Sequence, residues 1–161
     1  MSEFYQVDKK TTTDIWLTPP ELVNKLGKFD LDPCCPNNLL WKTAEQFYSL
    51  ENGQDGLKLS WVGRCWVNPP YSNWGKFLEK LKNHNNGIAL IFARTETKDF
   101  FNHIWNDADS ILFIKRRIKF IKKDLSGSGS STAPSVLIAY GKNNTEYLKN
   151  SGIEGKLIIL K

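Results

Sequence analysis

The 161-residue sequence contains three cysteines, two histidines and one methionine, and each scarcity excludes something. Cys34 and Cys35 are adjacent while Cys65 stands apart, a spacing that makes neither a disulfide framework nor a paired zinc site. Reduced thiols packed as small apolar residues are expected instead. His84 falls on a polar helix end and His103 beside Trp105, neither with a partner at ligand spacing, so no metal site is expected. No apolar run approaches the length of a membrane span or the pattern of a signal peptide, and a cytoplasmic protein is the expectation. The glycine- and serine-rich stretch "LSGSGSSTAP" has no lysine after its glycines, which excludes a phosphate-gripping loop and leaves a flexible hairpin connection.

What is present is ordinary for a globular protein: 40% hydrophobic and 24% charged residues. The length suits one domain, expected over residues 16–161, behind a polar N-terminal arm of residues 1–15 that shows no hydrophobic period. A formal charge of +5 suits a polyanionic partner without requiring one.

Hydrophobic spacing predicts the elements. In "LTPPELVNKLGK" Thr18 can cap a short helix, Pro19 fits its first position, Leu22, Val23 and Leu26 share a face and Gly27 stops it. "FDLD" reads as a strand that carries two acids to its carboxyl end, and "QFYSL" as a weaker strand. Trp74, Phe77, Leu78 and Leu81 mark a buried helix face, as do Phe100, Phe101, Ile104 and Trp105. "GIALIFA", "SVLIAYG" and "KLIIL" are strands, with a short helical turn around Thr145 to Lys149 between the last two. "SILFI" is a strand that runs on through the basic "KRRIKFIKK". Strands alternating with helices predict an α/β fold, its sheet mostly parallel with an antiparallel strand near one edge. Ligands of such sheets bind beyond the carboxyl ends of the strands.

At one such end stands "RCWVNPPYSNW". The two prolines cannot donate backbone hydrogen bonds, so the strand of Cys65, Trp66 and Val67 must stop at Asn68. They also fix the backbone, presenting the Asn68 carboxamide and the Pro69 carbonyl in a nearly constant relation. Two such acceptors suit the exocyclic amino group of adenine, a poor nucleophile because its lone pair is delocalised into the ring. Hydrogen bonds to both oxygens pyramidalise the nitrogen and localise the pair toward an electrophile, catalysis by positioning and electrostatics. Tyr71 adds a flat face for a base, a contact of roughly 1–3 kcal/mol. The bland alternative is a rigid turn in which Asn68 caps its own backbone and Tyr71 is core.

The matching electrophile is S-adenosylmethionine. Asp32 ends a strand where the charged part of this donor can sit, and Asp55, after the turn "ENGQDG", can take its adenine amino group. Trp16 and the Thr18-Pro19 helix start can close the amino-acid end, helix N-termini being suited to carboxylates. Singly, each acid also fits a cap or a surface charge.

"WLTPPELVNKL", "FDLDPCC", "QDGLKLSW", "CWVNPPYSNW", "LIFARTETKDFF" and "RRIKF" occur in the order found in the phage-type DNA N6-adenine methyltransferases, which the chain resembles from about Trp16 to about Tyr140. That resemblance implies a Rossmann-like, S-adenosylmethionine-dependent methyltransferase sheet acting on double-stranded DNA in the cytoplasm of a bacterial host. It implies Asn68, Pro69, Pro70 and Tyr71 as the catalytic loop and Asp32, Pro33 and Cys34 as the first donor loop. Trp16, Thr18 and Pro19 are implied as the N-terminal donor segment and Asp55 as the adenine-side acid. The glycines that commonly follow the first acidic loop in methyltransferases are missing, replaced here by "CPNNLL".

A base inside a duplex must be flipped out before such chemistry, at a cost of a few kcal/mol. In "RRIKF" the resemblance implies Phe120 as the second face against the extruded base and Arg117 near phosphate or base. Lys115, Arg116, Arg117, Lys119, Lys122 and Lys123 form the densest basic run, suited to gripping the nucleic-acid backbone or, alternatively, to guarding an edge strand. Sequence choice is expected to come from the arm, the Asn37 to Phe47 stretch or the Lys122 to Pro134 loop. The same loop chemistry suits the N4 of cytosine, RNA or a protein glutamine amide. A nucleic-acid-binding protein without donor binding is the rival of a different class.

Overall fold

The computed structural model describes residues 16–37, 39–122 and 124–161, without the Trp16 side chain. The expected arm and Lys123 lie outside the described residues. In chain order the elements are β1 (Trp16–Leu17), α1 (Pro20–Asn24), β2 (Leu31–Asp32), β3 (Gln46–Phe47), β4 (Cys65–Val67), α2 (Trp74–His84) and β5 (Gly87–Phe92). There follow α3 (Lys98–Phe100), continued by a π turn (Phe101–Trp105), then β6 (Ser110–Ile114), β7 (Lys119–Lys122), β8 (Ser128–Ser130), β9 (Ser135–Tyr140), α4 (Lys142–Asn150) and β10 (Gly155–Ile159). No helix among the described residues is long and apolar enough to cross a membrane.

Seven strands form one sheet in the order β10-β6-β9-β5-β4-β2-β3. β3, β2, β4 and β5 pair in parallel, whereas β9 pairs antiparallel with both β5 and β6, and β10 antiparallel with β6. The sheet is therefore mostly parallel in strand direction, as expected, but β9 stands inside it as well as β10 at its edge. The reason is the connection. Parallel neighbours need a crossover, usually a helix, and between β6 and β9 the chain makes the β7-β8 hairpin instead.

Strand residues alternate between two buried layers. Cys65, Val67, Ala89, Ile91, Val136 and Ile138 face the layer of α2 (Phe77, Leu78, Leu81) and of α3 with its π turn (Phe100, Ile104). Trp66, Ile88, Leu90, Leu137 and Ala139 face the layer of α1 (Val23) and the turn after it (Leu26), α4 (Leu148) and the β7 residue Phe120. Continuous apolar runs in the central strands follow from this cover on both faces.

The expectation that "SILFI" runs on into the basic segment is corrected. β6 stops at Ile114, where the Lys115 N–H bonds the Glu154 carbonyl at 3.0 Å and closes the pairing with β10. The chain then leaves the large sheet, and β7 joins β1 and β8 in a separate three-stranded sheet, Leu17 opposite Ile121 and Phe120 opposite Gly129. The glycine-serine stretch thus contains a strand within its hairpin. α4 spans nine residues where a short turn is expected, because Asn144 is buried and its amide donates to the Asn86 side chain and the Tyr140 carbonyl.

Candidate active site

β4 ends at Val67, as the following prolines require. Pro70 is extended (φ −61°, ψ 143°), and a 3₁₀ turn, Tyr71–Asn73, closed by Asn73 N–H to the Pro70 carbonyl at 3.0 Å, leads into α2. The segment lies at the surface: Tyr71 is 58% exposed. Its ring is tilted against Phe92 with centroids 5.3 Å apart, and its hydroxyl accepts from Arg94 Nε at 3.0 Å.

The Asn68 carboxamide is half-buried and its Nδ2 donates to Thr18 Oγ1 at 2.9 Å. Among the described residues no donor reaches Asn68 Oδ1 or the Pro69 carbonyl. Thr18 therefore does not cap α1: Pro19 holds the cap position and Pro20 the first turn, while the Thr18 hydroxyl faces the motif. At the end of β1 its backbone is still leaving a strand, which turns its side chain away from the helix.

At the neighbouring end of β2, Asp32 is 3% exposed. Its oxygens accept from the Cys34 N–H at 3.2 Å and from the Thr43 hydroxyl, closing the loop that follows the strand. Burial pushes its carboxyl up to about 6, against the opposing pull of these hydrogen bonds. Burial, with Asp32 adding to it, raises the Cys34 thiol well above the usual range, with the nearby Asn68 backbone N–H opposing the shift. The first acidic loop and the proline loop are thus in contact. Burial likewise pushes Cys35 and Cys65 up to about 12, so the cysteines are packing groups rather than nucleophiles.

A third segment closes on the first. A Cβ on Gly56 would meet the Pro33 carbonyl oxygen at 1.8 Å, so only glycine permits this approach. Lys80 of α2 donates to the Gly56 and Leu57 carbonyls at 3.0 and 2.9 Å, and Trp61 Nε1 to the Gly56 carbonyl at 2.7 Å. Asp55, next to this glycine, is partly buried, accepts from the Leu57 N–H at 3.0 Å and pairs with Lys58 at 3.7 Å.

Asn68, Pro69, Pro70, Tyr71, Thr18, Pro19, Asp32, Pro33, Cys34 and Asp55 are accordingly carried on segments that meet at the carboxyl ends of β2 and β4. The basic residues Arg117, Lys119 and Lys122 are exposed on and before β7, which pairs with the strand that delivers Thr18. Phe120 differs from expectation. Its ring is 8% exposed within the second core layer, because the alternation of β7 turns Ile118 and Phe120 inward and Lys119 outward. It offers no open face to a base. Arg94, Thr43, Gly56 and Lys80 belong to the same constellation and were not singled out by sequence. Arg94 alone carried a signal, a cation just past the carboxyl end of an apolar strand.

Pro69, Tyr71, Trp74, Phe92 and Arg94 line a cleft of about 30 Å³, room for about one water. A larger groove of about 570 Å³ lies at the opposite, amino edge of the sheet, between α1 and α4. It is open and contains none of the groups above.

The sequence model of the family described as DNA N-6-adenine-methyltransferase (Dam) matches residues 6–152. The chain belongs to this family. Among Dam relatives, a DNA N-6-adenine-methyltransferase of Escherichia phage T1 is 28% identical over 157 residues, covering 91% of this chain and 62% of that protein. One of Haemophilus phage HP1 (strain HP1c1) is 28% identical over 144 residues, covering 82% of this chain and 81% of that protein. The chain thus spans less than two thirds of the T1 relative's length. No solved structure matches the chain significantly.

Proposed function

We propose that this chain transfers a methyl group from S-adenosylmethionine to the N6 amino group of an adenine flipped out of double-stranded DNA, on a Rossmann-like sheet. The single observation that carries this reading is the state of the proline loop. The Asn68 amide nitrogen is engaged by Thr18, Asn68 Oδ1 and the Pro69 carbonyl receive no donor from the described residues, and Tyr71 stands exposed beside them. The family match and the names of both phage relatives support the substrate.

The residues present fit the donor. A buried acid at the end of β2, a partly exposed acid at Asp55 and the apolar Pro33 and Leu57 between them supply anionic and apolar partners on one edge, in contact with the Asn68 backbone. The Asp32-Pro33-Cys34 loop would hold the donor's amino-acid and ribose side, with Pro19 beside it, and Asp55 its adenine, while the buried Thr18 hydroxyl is engaged by Asn68. When bound, S-adenosylmethionine supplies a methyl group activated by a positively charged sulfur.

The chain's own contribution is positional. Asn68 Oδ1 and the Pro69 carbonyl accept the two hydrogens of the adenine amino group, which localises the nitrogen lone pair away from the ring. Tyr71 stacks on the extruded base, with Arg94 steadying its hydroxyl. No strong general base is required, because the proton is lost to water after the nitrogen has become cationic. Arg117, Lys119, Lys122 and Lys123 hold the backbone of the opened duplex.

Nucleoside mass spectrometry of DNA from cells expressing the chain tests the assignment. N6-methyladenine should appear with the wild-type chain and not with Asn68→Ala. N4-methylcytosine instead would move the assignment to the other exocyclic amine, and no methylated base from either form would leave a nucleic-acid-binding protein.

A further inference from the structure

A carboxamide is nearly symmetric in shape and opposite in function at its two ends. Its oxygen accepts, its nitrogen donates, and a half-turn about the last side-chain bond exchanges them with little change in volume. Activation of an amino group needs the oxygen outward. The two prolines fix the backbone around Asn68 but have no hold on this last rotation, so another group must engage the inward end.

Within the proposed methyl transfer, on which this inference rests, we propose that Thr18 is the positioning residue that sets the Asn68 carboxamide. Thr18 is 4% exposed, and its hydroxyl oxygen accepts a hydrogen bond from Asn68 Nδ2 at 2.9 Å. With the hydroxyl removed, the inward amide nitrogen has no partner there, and the carboxamide is no longer held in this orientation. Thr18 is itself anchored: it follows β1 directly, and β1 pairs through Trp16 and Leu17 with Lys122 and Ile121 of the basic strand β7. The carboxamide, fifty residues along the chain from Thr18, is thereby referred to the strand that carries the exposed lysines. This role is distinct from donor contact, the role that position alone suggests for Thr18.

Two substitutions separate the possibilities. Thr18→Val keeps the shape and removes the hydroxyl, and Thr18→Ser keeps the hydroxyl. Expected in single-turnover methyl transfer to DNA is a loss of roughly 10- to 100-fold for Thr18→Val, with Thr18→Ser within about threefold of wild type. Binding of S-adenosylhomocysteine and of DNA should change by no more than about twofold in either, which also shows that both variants fold. The Asn68 side-chain amide resonances, assigned by their absence in Asn68→Ala, should exchange slowly with water in wild type and Thr18→Ser and fast in Thr18→Val. Thr18→Val transferring at the wild-type rate, unchanged amide exchange, or a loss confined to S-adenosylhomocysteine binding would each overturn the proposal. A wild-type chain that methylates no DNA would instead overturn the proposed function, while the amide exchange still decides whether Thr18 sets the carboxamide.

Discussion

Arg94 Nε donates to the Tyr71 hydroxyl at 3.0 Å, joining the turn after β5 to the first residue beyond the two prolines. The Arg94 carbonyl is held in turn by the Thr97 N–H at 3.1 Å and hydroxyl at 2.8 Å. An exposed ring on a 3₁₀ turn would otherwise rotate freely, so this bond presents one face of Tyr71 outward while the other rests on Phe92. Arg94→Ala should raise KM for DNA about tenfold with a smaller effect on kcat. Tyr71→Phe should resemble it, and Tyr71→Ala should add the loss of the stacking face, roughly 1–3 kcal/mol. Steady-state kinetics with a DNA substrate checks all three, and a Tyr71→Ala variant no worse than Tyr71→Phe would show that the ring stacks on nothing.

Asp32 predicts a pH dependence of stability. Burial raises its carboxyl from the ordinary 3.8 to about 6, so the folded state prefers the protonated form. Its contribution to stability is therefore fully present below about 3.8 and lost as pH rises through about 6, a loss on the order of 3 kcal/mol. Asparagine does not titrate. Between pH 4 and 7 the Tm of Asp32→Asn should gain several degrees on that of wild type, and a constant difference across this range would contradict the buried carboxyl.

Gly56 is the clearest steric prediction. The Pro33 carbonyl lies where a side chain would begin, and the Gly56 carbonyl is gripped by Lys80 and Trp61, so the backbone cannot retreat without breaking those bonds. Gly56→Ala should cost about 1–3 kcal/mol of stability by overpacking and weaken S-adenosylhomocysteine binding through the displaced Asp32-Pro33 loop. Thermal melts and calorimetry check it. Unaltered stability would mean that the two loops are not held together.

The architecture was legible in the sequence where a side chain's local neighbours decide its place. The proline pair stops β4 by its own chemistry, and Phe77, Leu78 and Leu81 declare the buried face of α2 by spacing alone. The unbroken apolar run of β5 announced a strand covered on both sides. What could not be read were relations between distant residues. Nothing near Thr18 says that its hydroxyl goes to Asn68 rather than to its own helix, and nothing near Arg94 names Tyr71. The break after Ile114 is hidden because the basic segment keeps a strand-like alternation while moving to another sheet. That same alternation makes Phe120 look available in a run of cations, whereas it is the residue that pins β7 to the core.

The basic strand makes a further prediction. Lys119 and Lys122 are exposed at the two ends of β7 and Arg117 just before it. Single alanine substitutions should weaken DNA binding about equally for different sequences and lower the dependence of log K on log salt by about 1 each, as expected when one fewer phosphate is neutralised. Fluorescence anisotropy over a salt series checks it. An unchanged slope would leave these residues as solvated charges on the central strand of the small sheet rather than as phosphate contacts.

The most direct measurement compares single-turnover methyl transfer to DNA by the wild-type chain and by Asn68→Ala, with S-adenosylhomocysteine binding measured on both. Loss of at least about a hundredfold in transfer at nearly unchanged affinity is the predicted result, because the carboxamide oxygen acts on the amino group and not on the donor. Equal transfer by the two forms would contradict it.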